Sequence, residues 1–191
     1  MLENQMMDEY IIEDLCNENI QYLQQGANII KNVPETVFYS KNHALYKSNI
    51  ELQLHHIIDY YTAFFRGVYQ PNGQVDYDFN ESLYPRENIP AELLLKIEET
   101  IQQLNDFKTQ NNRSILVKKS INFKLLSNKN NSPLVLPSTV MRELYSIMHH
   151  TLHHFYIIMM ILKLHNIELD ENFQIITGYK KYKSKTDLNI T

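Results

Sequence analysis

Apolar residues recur every three or four positions in four stretches of the chain, with polar residues filling the intervening positions, which is the signature of amphipathic helices. In the first stretch Met6, Met7, Tyr10, Ile11 and Leu15 alternate with Asp14 and Glu18, and the pattern continues to Ile29 and Ile30 before Asn32 and Pro34 close it. An irregular connection follows to Ser48, the candidate N-cap of a second helix whose core stripe is Ile50, Leu54, Ile57, Tyr61, Phe64, Phe65 and Val68. A turn-rich stretch then leads to Asn88, a candidate cap with Pro90 just inside a third helix that buries Leu93, Leu94, Ile97, Ile101, Leu104 and Phe107. The fourth stretch, Met141 to His165, has no Pro or Gly and is long enough for about six or seven turns, with Ser138 or Thr139 as its cap.

Between the third and fourth helices the period changes from helical to alternating. Ile115, Val117, Ile121, Phe123 and Leu125 read as a strand, SNKNNSP breaks it, and Leu134 to Leu136 before Pro137 read as a short return strand. The expected fold is all-α, a four-helix bundle with a small β-hairpin, confined to residues 114–136, in the connection between helices three and four. Residues 1–170 are expected to form one domain and 171–191 a C-terminal tail.

Composition narrows the chemistry. With 191 residues the chain can bury one sizeable core, and with only 4 glycines it carries neither a G-x-x-x-x-G-K nor a G-x-G-x-x-G loop, so nucleotide chemistry of those kinds is not expected. The most apolar run, Phe155 to Leu162, is too short for a membrane span, and the N-terminus lacks the form of a signal peptide. The single cysteine, Cys16, has no internal disulfide partner and reads as a small buried apolar residue, in keeping with a reducing cytoplasm. The net charge of -4 is uneven: residues 1–20 hold six carboxylates and no Lys or Arg, while the C-terminal GYKKYKSK is basic. That tail reads as solvated or lying against acidic helix surface rather than as a nucleic-acid contact.

The residues able to carry chemistry lie mostly on the second and fourth helices. On the fourth, His150 and His154 point into the arc shared with Ile147, Ile157 and Ile161, while His149 and His153 form an outward pair near Tyr145, Tyr156 and Lys163. Imidazoles at i and i+4 can grip one ion, and His56, on the border of the second helix's core stripe, can supply a third nitrogen. Three neutral imidazoles with an open fourth position are the ligand set of a catalytic Zn²⁺ or a related ion such as Ni²⁺. Asp59 and Glu143 are candidate outer acceptors for imidazole N–H groups. Ala63 and Gly67 leave room on the His56 side for a close neighbour or a ligand. From spacing alone the histidines are open to two readings, as metal ligands or as hydrogen-bonded core residues. The absence of E-x-x-H and H-E-x-x-H motifs argues against a carboxylate di-iron bundle and against zincin-type proteolysis.

Helix two with the following Val75–Asp78, together with the stretch from Pro137 to Leu169, resembles the DinB-like (DinB/YfiT-type) family of metal-dependent bundle proteins. His56, Ile57, Asp59 and Tyr61 match the family's H-I-x-D-x-Y element. Arg142, Glu143 and Leu144, then His150, Thr151, His153, His154 and Ile158, match its R-E-L and S-H-T-x-H-H-x-A-x-I elements. The chain departs from the pattern at His149, where the family has Ser, at Gln53, where it has a histidine, and in FNESLYPREN, where only Arg86 remains of an arginine-rich segment. The resemblance implies that His56, His150 and His154 are the metal ligands, that the ion is Zn²⁺ or Ni²⁺, and that the chain forms a homodimer. It further implies transfer of a low-molecular-weight thiol, such as bacillithiol or mycothiol, to an electrophile; activation of water for hydrolysis is a related option. The alternative is a non-catalytic metal-binding or stress-response bundle protein.

Overall fold

The structure is a computed structural model and describes residues 2–41, 48–78, 89–110, 118–126 and 133–168. The expectations for Arg86, the Asn88 cap, Ile115, Val117 and the C-terminal tail lie outside these residues. The described chain is mostly helical. Helix α1 spans Leu2–Asn32 and buries Ile12, Cys16, Ile20, Leu23, Ile29 and Ile30; in its first half the buried face is turned by one position from the expected stripe, leaving Tyr10 exposed and Ile11 and Leu15 half-buried. A one-turn helix α2, Glu35–Phe38, starts directly after Pro34 and tucks Val37 and Phe38 inward, within a connection expected to be irregular.

Helix α3 spans Ile50–Tyr69, and its cap is Asn49 rather than Ser48. Asn49 Oδ1 accepts from the Leu52 N–H at 2.9 Å, satisfying one of the orphan donors of the first turn. Ser48 serves another purpose: its Oγ accepts from Gln53 Nε2 at 2.7 Å. After α3 come β1, Gln74–Asp76, then α4, Ile89–Thr109, β2, Ser120–Leu126, β3, Pro133–Thr139, and α5, Val140–Leu164. Helix α4 buries Leu93, Ile97, Leu104 and Phe107, with Leu94 and Ile101 packed at the edge of the core. Helix α5 is capped by Thr139, whose Oγ1 accepts from the Arg142 N–H at 3.2 Å. It closes with Asn166 at φ 56°, the Ile167 N–H reaching the Leu162 carbonyl and the Asn166 N–H that of Lys163. That pair of bonds is the Schellman closure, and Asn tolerates its left-handed residue better than most side chains.

The sheet corrects the hairpin expectation in two ways. Strand β3 pairs antiparallel with β2 through Thr139, beyond the expected end at residue 136, and β1 adds a third strand parallel to β2 in the order β1-β2-β3. Pro137 is tolerated within β3 because that strand is at the sheet edge. Strand β1 lies against α3 where Gly67 faces it. A Cβ at position 67 would stand 2.6–2.7 Å from Val75 Cγ2, Val75 Cα and the Gln74 carbonyl oxygen, so only glycine admits the strand. The room expected at Ala63 and Gly67 is therefore occupied by a close neighbour: Ala63 and Val75 are both buried.

Helix α1 packs against α4 and α5, and α3 packs against the same two helices. A polar chain crosses the core between them: Thr151 Oγ1 donates to Tyr61 Oη at 3.3 Å, and the Tyr61 hydroxyl donates to Asn19 Oδ1 at 2.7 Å. Among the described residues no helix is long and apolar enough to cross a membrane.

Candidate metal centre

His56 on α3 and His150 and His154 on α5 meet where these helices pack face to face. Their candidate ligand nitrogens all lie within 4.8 Å of one another. Burial is graded across the cluster: His154 is buried, His150 half-buried and His56 exposed. The outward pair, His149 and His153, is exposed, as are Tyr145, Tyr156 and Lys163, so the helical phase expected of α5 is the one it adopts.

The closest approach is between His150 Nε2 and His154 Nε2, 3.1 Å apart. Two nitrogens bound to one tetrahedral Zn²⁺ at about 2.0–2.1 Å stand roughly 3.3 Å apart, so the pair has nearly the spacing a shared ion requires. The ring of His56 is 5.0 Å from that of His150 and 4.7 Å from that of His154, centroid to centroid. The His150 Nδ1 is buried and has no hydrogen-bond partner.

Each ring is held differently. His154 Nδ1–H donates to Gln53 Oε1 at 2.5 Å, from one turn before His56 on α3. His150 is clamped by stacking on Tyr60, with centroids 3.6 Å apart and planes 11° from parallel, and Tyr60 in turn stacks on Tyr77 at 4.6 Å. Tyr77 follows β1, and its hydroxyl donates to Glu143 Oε2 at 2.8 Å. The other carboxylate oxygen of Glu143 accepts from Ser138 Oγ at 2.5 Å and from the Arg142 guanidinium at 2.6 Å. One contact sequence thus runs from the buried carboxylate at the start of α5, through two tyrosines, to the face of His150.

Of the two outer acceptors expected, Glu143 is spent on Tyr77, Ser138 and Arg142. Asp59 acts on His56 through its charge, which opposes the lowering that burial imposes on that imidazole. Burial also lowers His150, to about 3, reinforced by His154, His56 and His153. His154 is lowered to about 4 by burial and then by His56 and His153. These imidazoles are neutral near pH 7, the form a metal requires. The Cys16 thiol, by contrast, is buried and pushed up to about 12, which removes it as a nucleophile.

The sequence brings the three histidines together and sets Gln53 and Tyr60 beside His56, but it does not show that these two hold His154 and His150. Gln53, a departure from the DinB-like pattern, lies at i−3 from His56 and so faces the same partner helix. Tyr60 shares the His56 side of α3 at i+4. Tyr77 carried no such signal, because it reaches the site from β1, which pairs with a strand far along the chain and packs on α3. Comparison of the chain with protein-family models, curated proteins and solved structures returned no match.

Proposed function

We propose that His56, His150 and His154 hold one divalent ion, Zn²⁺ or Ni²⁺, in a four-helix bundle of the DinB-like kind. The observation that carries the reading is the convergence of three neutral imidazoles from two packed helices, with the His150 and His154 nitrogens 3.1 Å apart. Such an ion, when bound through three histidines, supplies an open position at which a thiol or water loses its proton near neutral pH. The chain's own residues keep the imidazoles in place: Gln53 holds His154, and Tyr60 holds His150. The exposed His56 leaves one side of the cluster accessible to a small molecule. By the family resemblance that molecule is a low-molecular-weight thiol destined for an electrophile, or else a hydrolysable substrate, and the protein works as a cytoplasmic homodimer.

A second reading, metal binding without turnover, is favoured by one observation. Glu143, the buried carboxylate on α5, has both oxygens committed to Tyr77, Ser138 and Arg142, so it is not available as a general base.

Elemental analysis of protein purified without chelator tests the site. About one equivalent of divalent metal per chain is expected, lost in His154→Ala and retained in His153→Ala; equal loss in both would contradict the assignment. Thiol-transfer assays with several thiols and electrophiles then separate the two readings, since the enzyme requires metal-dependent turnover that His154→Ala abolishes.

A further inference from the structure

We infer that Gln53 is the positioning residue that selects which nitrogen of His154 is offered to a ligand. The inference rests on the site proposed above but concerns the protein before anything is bound. An amide oxygen can only accept, so the 2.5 Å contact requires the proton of neutral His154 to sit on Nδ1. The lone pair is then on Nε2, the nitrogen that faces His150 Nε2 at 3.1 Å.

The amide also has a partner on its other side. Gln53 Nε2 donates to Ser48 Oγ at 2.7 Å, and Oε1 is directed at His154. Reversed, the amide would set a donor against His154 Nδ1 and favour the opposite tautomer, with Nε2 protonated and closed to a ligand. Gln53 is 8% exposed, so water does not easily substitute for either contact. His150 is held by stacking on Tyr60 and, with His154 Nε2 bare, by donating its own Nε2–H to that nitrogen, while its Nδ1 has no partner. The Gln53–His154 contact thus sets the tautomer of His154, and through the shared Nε2 contact that of His150. Ser48, displaced from the capping role by Asn49, is free to accept from the amide.

Gln53 is also uncharged. A carboxylate at this place would draw the Nδ1 proton more strongly and make Nε2 a more basic donor. Glutamate therefore keeps the tautomer while changing donor strength, whereas leucine removes the acceptor.

The test is the tautomeric state of His154 read by long-range ¹⁵N–¹H correlation in metal-free protein at about pH 7.5, with Zn²⁺ affinity measured alongside. Wild type and Gln53→Glu are expected to show a protonated Nδ1 and a bare Nε2. Gln53→Leu is expected to lose that pattern, and its Zn²⁺ affinity to fall by about 10–100-fold. A protonated Nε2 in wild type, or an unchanged spectrum in Gln53→Leu with native circular dichroism, would overturn the inference. The wild-type spectrum decides even if Gln53→Leu does not fold. If Zn²⁺ fails to bind wild type while the Nδ1–H tautomer is observed, the metal reading falls and the role of Gln53 in fixing the ring stands.

Discussion

The three imidazoles titrate in a sense opposite to that of a histidine gaining a salt-bridge partner. Burial lowers His150 to about 3 and His154 to about 4, against about 6.5 for the unfolded chain. Between roughly pH 4 and 6.5 the unfolded state therefore binds more protons than the folded one, and stability rises with pH through this window. Above about pH 6.5 both states are neutral at these positions and the contribution is constant. Denaturant midpoints of the metal-free protein are expected to fall as pH is lowered from about 7.5 to 5, and to fall less in His154→Leu. A midpoint that rises on acidification would show that the cluster is charged in the folded state. At this scale the sequence was informative about the ligands and about which residues neighbour His56 on its own helix, and silent about contacts between elements. An i, i+4 pair on an inward face can be counted from the primary structure. The contact of Tyr60 with His150, or of Tyr77 with Glu143, exists only once α3, β1 and α5 have met.

Among the elements, the long helices were legible because each carries a full apolar stripe with a cap or a proline at an end. Strand β1 was not, being three residues long and paired in parallel with a strand far along the chain. Its position is enforced instead by one absence of a side chain. Gly67→Ala would put a methyl group 2.6–2.7 Å from the β1 backbone and Val75, too close to be relieved by a side-chain rotation. A loss of about 1–3 kcal/mol is expected from such overpacking, read as a lower denaturant midpoint. Because Tyr77 directly follows β1, weaker Zn²⁺ binding should accompany it. Gly26, inside α1, is the contrasting case. A Cβ there would meet Leu54 Cδ2 at 3.4 Å and Ile97 Cδ1 at 3.6 Å, which is ordinary contact. Gly26→Ala is expected to stabilise the protein by about 0.5–1 kcal/mol through helix propensity. Any fall in the midpoint would mean that the core around Leu54 and Phe155 cannot yield even a few tenths of an ångström.

At the scale of the whole molecule, the cluster ties together two of the four long helices that build the core. Helices α3 and α5 pack along much of their length, and the polar chain from Thr151 through Tyr61 to Asn19 links both to α1. An ion held by His56, His150 and His154 would cross-link α3 to α5 only in the folded state, because the unfolded chain separates His56 from His150 by more than ninety residues. Binding to the native state alone stabilises it by RT ln(1 + [L]/Kd), about 2.7 kcal/mol at a hundredfold excess over Kd. For a chain of this length that corresponds to a rise of roughly 5–10 °C in Tm. Zn²⁺ or Ni²⁺ added to metal-free protein near pH 7.5 is expected to raise Tm by this amount, and a chelator to reverse it. The rise should shrink toward pH 5 as protons compete for the nitrogens, and it should be absent in His154→Ala. Mg²⁺, which prefers oxygen donors, should leave Tm unchanged. An equal rise in His154→Ala would place the stabilising ion elsewhere, with the exposed His149 and His153 pair the next place to look.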